Sequence, residues 1–349
     1  MYKIGITIGD PSGIGAEIIA KSLSDENIFN SCLPIVFGSA AVMQDGIRIA
    51  NVQNKLKVRA ISNVEDAKFE PNVINVVDVY PDFDLKNLKY GKVQKESGHL
   101  AGLSIKKAIE SALEKNPEKR VDAVVTAPIN KEAFKLAGFP YPGHTEMFAD
   151  LTNTKDYSMV LMHGNLRVAH VTTHVSMRQA IDLIKTERVL KTIKVANNAC
   201  KSLGIAKPVI GVAGLNAHAG ENGLFGQEEI EEIIPAVNKA KELGIDAQGP
   251  LPADTIFSKA LGGMYDCIVA MYHDQGHIPV KQMGFTLDKE TGLWTEMKGV
   301  NITFGMPIIR VSVDHGTAFG KAGKGTANAA SLTNAIEVAN LLAQNNENI

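Results

Sequence analysis

The chain has 349 residues, 45% hydrophobic and 21% charged, an ordinary composition for a globular protein of two α/β lobes or one large domain. The formal net charge of −2 provides no basic field for nucleic acid or an anionic membrane, and no apolar run approaches the roughly 20 residues of a membrane span. Cys32, Cys200 and Cys267 form no CxxC pair, and no signal peptide precedes the first predicted strand, so we expect reduced thiols in a cytoplasmic protein.

Short apolar runs alternate with amphipathic segments along the chain, beginning with a predicted strand at residues 3–8. A glycine-rich segment, Gly9-Asp-Pro-Ser-Gly-Ile-Gly-Ala-Glu17, joins this strand to a helical pattern. The glycines would let a ligand approach the backbone at the start of the helix. The segment lacks the Gly-Lys-Ser/Thr of a P-loop and the spacing of the dinucleotide fingerprint, so a plain strand–helix turn is an equally good interpretation. Further strands are predicted at 34–38, 57–61, 73–77, 209–213, 267–271 and from 122, with helices at 97–115, 178–203, 227–243 and 329–344. This alternation predicts an α/β fold with a largely parallel core.

One antiparallel feature interrupts the alternation. Residues 158–162 and 166–173 flank His163, Gly164 and Asn165, a pattern that predicts a β-hairpin. We expect structural roles for His163 and His170, which lie inside this hairpin.

Three histidines each follow a predicted buried strand, in polar loops rich in small residues: His174, His218 and His273. Neighbouring strands of a sheet lie about 4.8 Å apart, so adjacent loops could bring three imidazoles to one ion. Three histidines without a thiolate suit Zn²⁺, Co²⁺ or Mn²⁺ with open coordination positions. A solvated loop histidine is the alternative for each residue taken alone.

Polar residues in the last third of the chain suit a small anionic ligand. Lys281 and Arg310 are candidates for holding a carboxylate or phosphate, although each alone would more often be a surface charge. Asn301 adds an amide. The Gly-rich segment 314–328 precedes the C-terminal helix, and its backbone amides could face a nucleotide phosphate.

In nine of its segments the chain resembles the 4-hydroxythreonine-4-phosphate dehydrogenases and their relatives that act on phosphorylated sugar acids such as D-threonate 4-phosphate. The resemblance covers nearly the whole length. The matching segments are GDPSGIGAE (9–17), TAPINK (126–131), GHTE (143–146), TTH (172–174), GLNAHAGENG (214–223), PADT (252–255), YHDQGHIPVK (272–281), GVNITFGMPIIR (299–310) and SVDHGTA (312–318).

The resemblance implies a fold like that of isocitrate and isopropylmalate dehydrogenases, with two α/β/α lobes and the active site in the cleft between them. The first lobe is expected to comprise residues 1–138 and 305–349 with the nucleotide loop, and the second residues 139–304 with the metal ligands and dimer interface. A homodimer is implied, in which a divalent metal (Zn, Co, Mn or Mg) is shared across the subunit interface. The implied roles are metal ligation by His174, His218 and His273; catalysis by Lys281 and Asp254; substrate binding by His144, Thr145, Lys281, Asn301 and Arg310; and NAD or NADP binding by Asp314, His315, Gly316, Thr317, Gly320, Lys321 and Asn328.

The chemistry implied by the resemblance is NAD(P)-linked oxidation of a secondary alcohol to a β-keto acid that then loses CO₂. With 4-phosphohydroxy-L-threonine the product is 3-amino-2-oxopropyl phosphate, on the route to pyridoxal phosphate. The alternative substrate is D-threonate or D-erythronate 4-phosphate, which gives dihydroxyacetone phosphate. Segment 285–298, longer than expected for the biosynthetic enzymes, and His277 both favour that alternative.

Two alternatives from other classes remain open. Three histidines and a bound water also suit a zinc hydrolase, although the nucleotide loop argues against it. A non-catalytic metal-binding protein is the more distant possibility. Where NAD-dependent relatives carry an Asp that bonds the adenosine ribose, this chain has Gly320 followed by Lys321, which predicts a weaker preference for NAD over NADP.

Overall fold

The structure, a computed structural model, describes residues 1–290 and 294–346, with the main chain only for 294–297. The strands are β1 Lys3–Thr7, β2 Leu33–Gly38, β3 Lys57–Ile61, β4 Val73–Asp78, β5 Ala123–Thr126, β6 Ser158–His163, β7 Leu166–His170, β8 Val209–Ala213, β9 Asp246–Leu251, β10 Cys267–Ala270, β11 Phe285–Leu287, β12 Trp294–Met297, β13 Val300–Phe304 and β14 Ile309–Val313. The helices are α1 Gly15–Leu23, α2 Glu26–Ser31, α3 Ala40–Ile49, α4 Lys95–Leu113, α5 Lys131–Leu136, α6 His144–Leu151, α7 Met177–Leu183, α8 Thr186–Ser202, α9 Ile234–Glu242, α10 Ala253–Leu261, α11 His273–Gly284 and α12 Ala330–Asn346.

The chain forms two compact units. The first comprises Met1–Tyr157, Thr295–Val300 and the described residues from Met306 onward, and the second comprises Ser158–Trp294 and Asn301–Gly305. The first unit therefore contains residues 139–157, which the expected lobe division assigned to the second. The predicted α/β class is confirmed.

The first unit is built on parallel strands in the order β3–β4–β2–β1–β5–β14. Its central strands are apolar on both faces, as parallel strands covered by helices on either side must be. One side of the core joins Phe37 of β2 and Ile105 of α4 to Phe134 and Phe148 of α5 and α6. Arg310 lies on β14, and the candidate nucleotide segment 314–328 follows the carboxyl end of that strand.

The second unit has the strand order β13–β6–β7–β10–β8–β9. β6 and β7 form the predicted antiparallel hairpin, whereas β7, β10, β8 and β9 run parallel to one another. The side chains of β10 alternate in period two. Cys267 and Val269 pack with α8 and α9, while Ile268 and Ala270 pack with α10 and α11.

Several predicted elements differ in detail from those observed. The helix predicted at 178–203 is two helices, because α7 ends at Leu183 and the Thr186 amide that starts α8 donates to Glu232 Oε2 at 2.7 Å. The helix predicted at 227–243 begins with a π-helical turn, Glu229–Ile233. Strands β9 and β11 to β14 were not predicted. β9, with the sequence DAQGPL, lies at the sheet edge beyond β8, where strong apolar alternation is not required.

No helix in the described part of the chain is both long and apolar enough to span a bilayer. Segment 285–298, singled out in the sequence, lies partly outside the described residues.

Candidate functional site

The three histidines of the second unit follow the carboxyl ends of three neighbouring parallel strands. His174 comes after β7, His273 after β10 and His218 after β8, and β10 lies between the other two strands. Ligand sites of open α/β sheets lie beyond these ends. A side chain of α11 links the ends of two of these strands. The Gln275 side chain accepts from the Met271 amide, after β10, and donates to the Gly214 carbonyl, after β8, at 2.7 and 2.8 Å.

His174 and His273 approach each other directly, with ring centroids 5.7 Å apart. His273 is the first residue of α11 rather than a loop residue, which corrects the sequence interpretation: Tyr272 is extended and serves as the N-cap, so the helix starts immediately after it. The His273 Nδ1 lies 2.7 Å from Asp274 Oδ1, a contact that orients the ring.

Two further histidines extend this pair into a row. The rings of His273 and His277 stack at 3.8 Å with an interplanar angle of 10°, and His170 follows His277 at 4.6 Å. Burial lowers the pKa of His170 to about 3, so its imidazole is neutral at physiological pH. Residues at i and i+4 share a helix face, so the sequence predicts this stack once α11 is known to begin at His273.

His218 lies in a turn of unusual backbone conformation, Ala217–Gly223, and its side chain is 65% exposed. Its Nδ1 lies 3.2 Å from Glu221 Oε2. Within residues 1–290 and 294–346 of this single chain, no three His, Cys, Asp or Glu side chains are grouped closely enough to hold a metal.

In the first unit, Arg310 is buried rather than at the surface. It is the second residue of β14 and only 3% exposed, because the sequence after Pro307 continues as a strand. Its guanidinium donates to Thr145 Oγ1 at 2.9 Å and Thr126 Oγ1 at 3.2 Å, and lies 5.2 Å from the centre of the Phe148 ring. Burial lowers the pKa of Arg310 to about 10, so it stays charged at neutral pH.

His144 begins helix α6, next to Thr145. Its burial and the charge of Arg310 lower its pKa to about 3, which leaves a neutral imidazole. The Nε2 of His144 is buried and has no hydrogen-bond partner among the described residues. Buried polar atoms are normally satisfied, so this nitrogen suits contact with a ligand.

The remaining residues with predicted catalytic or substrate-binding roles lie in the second unit. Lys281, in α11, is half-buried, with its Nζ 5.5 Å from the centre of the Phe285 ring. Asn301 is the second residue of β13 and is half-buried. Asp254 is exposed in the first turn of α10.

The Gly-rich segment 314–328 joins β14 to α12, and the N-terminal glycine-rich motif supports it. Lys21 Nζ donates to the carbonyls of Gly325 and Ala327 at 2.8 and 2.7 Å, and the buried Glu17 carboxylate accepts the Ala327 amide at 2.7 Å. The Ile14 amide donates to the Thr317 carbonyl at 3.2 Å. The motif at 9–17 is therefore a strand–helix turn that also anchors the candidate nucleotide loop.

The predicted cofactor residues lie along this loop. Gly320 is exposed, and a side chain added there would meet nothing within 4 Å. Lys324 Nζ donates to the Gly320 carbonyl at 2.7 Å. The Nε2 of His315 is buried without a partner among the described residues, and burial lowers the pKa of this imidazole, so it too is available as a neutral ligand contact.

The fold defines an α/β protein in which several polar side chains follow the carboxyl ends of parallel strands. The chain belongs to the PdxA family: the family model described as pyridoxal phosphate biosynthetic protein PdxA matches residues 30–339.

Relatives of similar length match over almost the whole chain. D-threonate 4-phosphate dehydrogenase of Salmonella typhimurium is 45% identical, over 97% of this chain and 98% of that protein. The protein of the same name from Pectobacterium atrosepticum is 46% identical, over 97% and 99%. Among solved structures, 4-hydroxythreonine-4-phosphate dehydrogenase of Klebsiella pneumoniae matches with a TM-score of 0.84 and 45% identity, covering 98% of each chain.

Proposed function

We propose that this protein is an NAD(P)-dependent dehydrogenase that oxidises a secondary alcohol of a small phosphorylated hydroxy acid to a β-keto acid, which then loses CO₂. The observation that carries the proposal is the strand order β7–β10–β8 in a chain of the PdxA family, because His174, His273 and His218 follow these three neighbouring strands. The names of the relatives, all dehydrogenases of phosphorylated hydroxy acids, support the reaction class.

The three histidines suit a divalent metal by donor chemistry, and each follows one of three neighbouring strands. Neutral imidazoles suit Zn²⁺, Co²⁺ or Mn²⁺, and His174 and His273 already lie side by side. A metal held there would supply positive charge that favours loss of the substrate hydroxyl proton. Since no group of three donors forms in the described part of one chain, we propose that a second copy completes the site.

Exposed apolar side chains beside these histidines support such a homodimer. Val175 and Met177 follow His174 and are 42% and 55% exposed, and Leu224 and Phe225 follow the His218 turn at 72% and 49%. Where such side chains form one contiguous exposed surface, they commonly mark protein–protein contacts. A partner subunit that covers them would bring its own residues to the histidine edge.

The residues proposed to bind the substrate recognise anionic groups. Arg310 supplies a buried guanidinium, and Lys281 supplies an ammonium group from α11. His144 remains neutral and offers a buried nitrogen, so it can accept or donate one hydrogen bond without adding charge. We further propose Asp254 and Lys281 for proton transfer.

D-threonate 4-phosphate is the first substrate candidate, because the relatives from S. typhimurium and P. atrosepticum carry that name. 4-Phosphohydroxy-L-threonine is the second, because it gives the K. pneumoniae structure its name. The two differ at C2, which carries a hydroxyl in one and an amino group in the other.

The decisive experiment compares kcat/KM for the two substrates, each with NAD⁺ and with NADP⁺, following the absorbance of the reduced nicotinamide. We expect turnover of both, with the sugar-acid phosphate preferred. If neither substrate led to reduction of the nicotinamide, the proposal would be overturned and the hydrolase alternative favoured. Release of a hydrolysis product in the absence of NAD⁺ and NADP⁺ would then establish that alternative.

A further inference from the structure

The turn that carries His218 has a left-handed backbone over five consecutive residues. The φ angles run from 43° to 78° through His218, Ala219, Gly220, Glu221 and Asn222. Only one of the five is glycine. For other L-residues this conformation costs roughly 1–2 kcal/mol each, so the turn must be held by contacts outside itself.

Glu229 provides those contacts. It is the first residue of the π-helical turn and is 2% exposed. Its Oε1 accepts the backbone amides of Leu215 and Asn216 at 2.8 and 2.7 Å, and its Oε2 accepts Asn216 Nδ2 at 2.9 Å. One buried carboxylate therefore satisfies three donors at the entrance to the turn.

The same carboxylate fits closely against two nearby glycines. A Cβ added at Gly220 would lie 2.7 Å from Glu229 Oε2, and one added at Gly214 would lie 3.2 Å from Oε1. The glycines thus leave the space that the carboxylate fills. The π-helical turn places Glu229 there, and such turns often occur at functional sites.

The start of the turn is also tied to the helix of His273. Gln275 holds the Gly214 carbonyl through its side-chain amide, at 2.8 Å. Since Gly214 is fixed relative to α11, the conformation of residues 215–218 determines where the His218 imidazole lies relative to His273. Glu229 bonds two of those residues, Leu215 and Asn216.

We propose that Glu229 is a positioning residue that sets the His218 imidazole for metal binding through the left-handed turn. This inference rests on the proposed function, in which His218 is a metal ligand. Removal of groups that orient metal ligands typically lowers metal affinity about 10–100-fold.

The test compares Glu229→Ala, Glu229→Gln and Glu231→Ala in the full-length protein stripped of metal. Glu231 lies on the same π-helical turn but is exposed, so it is a matched control. Calorimetric titration with Zn²⁺ should show about 10–100-fold weaker binding for Glu229→Ala. The amide oxygen of Glu229→Gln can still accept from Leu215 and Asn216, so this variant should recover most of the affinity, and Glu231→Ala should match wild type.

Hydrogen exchange separates the positioning role from the metal assignment. Without metal, exchange of the Leu215 and Asn216 amides should accelerate in Glu229→Ala and not in Glu231→Ala. Accelerated exchange with unchanged Zn²⁺ affinity, or no acceleration at all, would overturn the inference. If Glu229→Ala does not fold, Glu229→Asp replaces it, and the expected result is an intermediate loss of affinity.

The variant His218→Ala distinguishes failure of the proposed function from failure of the inference. If His218→Ala binds Zn²⁺ as tightly as wild type, His218 is not a ligand and the metal site itself is wrong. If His218→Ala loses affinity while Glu229→Ala does not, the metal site stands and the positioning role of Glu229 is refuted.

Discussion

Replacing Arg310 with Met should separate function from stability at a single buried residue. The guanidinium is 3% exposed, and two of its hydrogen-bond partners are the uncharged hydroxyls of Thr145 and Thr126. Each pKa unit is worth about 1.4 kcal/mol, so the lowering of the Arg310 pKa to about 10 means that keeping this charge buried costs about 3 kcal/mol of folding free energy at neutral pH. The cost is present at any pH below about 10 because the group is charged there in both the folded and unfolded states.

Arg310→Met removes that cost together with the hydrogen bonds to Thr145 and Thr126, each worth about 0.5–1.5 kcal/mol. From these contributions the free energy of unfolding should stay nearly constant or rise by up to about 2 kcal/mol. Activity should fall, because a charge-assisted contact to an anionic substrate contributes about 1.5–3 kcal/mol, which corresponds to roughly 10–100-fold in kcat/KM. Stability without activity is the expected signature of a charge retained for binding.

Two assays check this prediction: urea unfolding for stability, and nicotinamide reduction with the phosphorylated substrate for kcat/KM. Arg167→Met is a suitable control, since Arg167 donates to the carbonyls of Asn165 and Asp266 in the second unit and has no proposed role in binding. A strongly destabilised Arg310→Met that keeps its kcat/KM would show that Arg310 is structural, and the reasoning would be refuted.

Four further predictions concern the metal, the dimer, the cofactor and pH. Replacing His174, His218 or His273 with Ala should remove most bound metal and nearly all turnover; a variant with near-normal activity in metal-free buffer would contradict the site. Inactive His174→Ala and His273→Ala chains refolded together should recover partial activity if these ligands come from different subunits, and verified heterodimers without recovery would show that one chain supplies both. Gly320→Asp should shift the kcat/KM ratio toward NAD⁺ by about tenfold, or about 1.4 kcal/mol, because a carboxylate repels a 2′-phosphate; an unchanged ratio would place the ribose elsewhere. Burial raises the pKa of Asp10 to about 6, so its contribution to stability is present below about pH 4 and is lost as the pH rises through 6. Urea unfolding should accordingly show Asp10→Asn gaining up to about 3 kcal/mol relative to wild type between about pH 4 and pH 8, whereas a constant difference would exclude this titration.

The strands of this protein are easier to predict from its sequence than the helices and turns at their carboxyl ends. The hairpin around Gly164 and the strands that precede His174, His218 and His273 were predicted because apolar runs bounded by polar residues identify strands without any tertiary information. The helix that begins at His273 was not predicted, since it contains Pro279 and two glycines, and its stability depends on packing against β6, β7 and β10.

Conformations that depend on residues distant in the chain could not be predicted from the sequence. The left-handed turn at His218 depends on Glu229, which lies eleven residues later by sequence number and contacts the turn only because a π-helical turn places it there. The sequence alone favours a surface charge at Arg310, because no local pattern reveals that Thr126 and Thr145 lie beside it. Glu229 and Arg310 are both buried charges, which sequence statistics assign to surfaces.

The neighbours of a strand are also set by crossovers rather than by order in the chain, and this determines which histidine is central. β7 connects through α8 to β8, which leaves one strand position open between them, and β9 returns through α10 to place β10 in that position. The two connections run in opposite directions along the sheet. Both can be right-handed only if α8 and α10 cover opposite faces, and they do, because α8 packs with Val269 and α10 with Ile268. The last of the three histidines in the chain, His273, therefore follows the middle one of the three strands, and its ring stacks on that of His277. A displacement of α11 would move His273 relative to both His174 and His218. A displacement of the His218 turn would leave the pair of His174 and His273 in place.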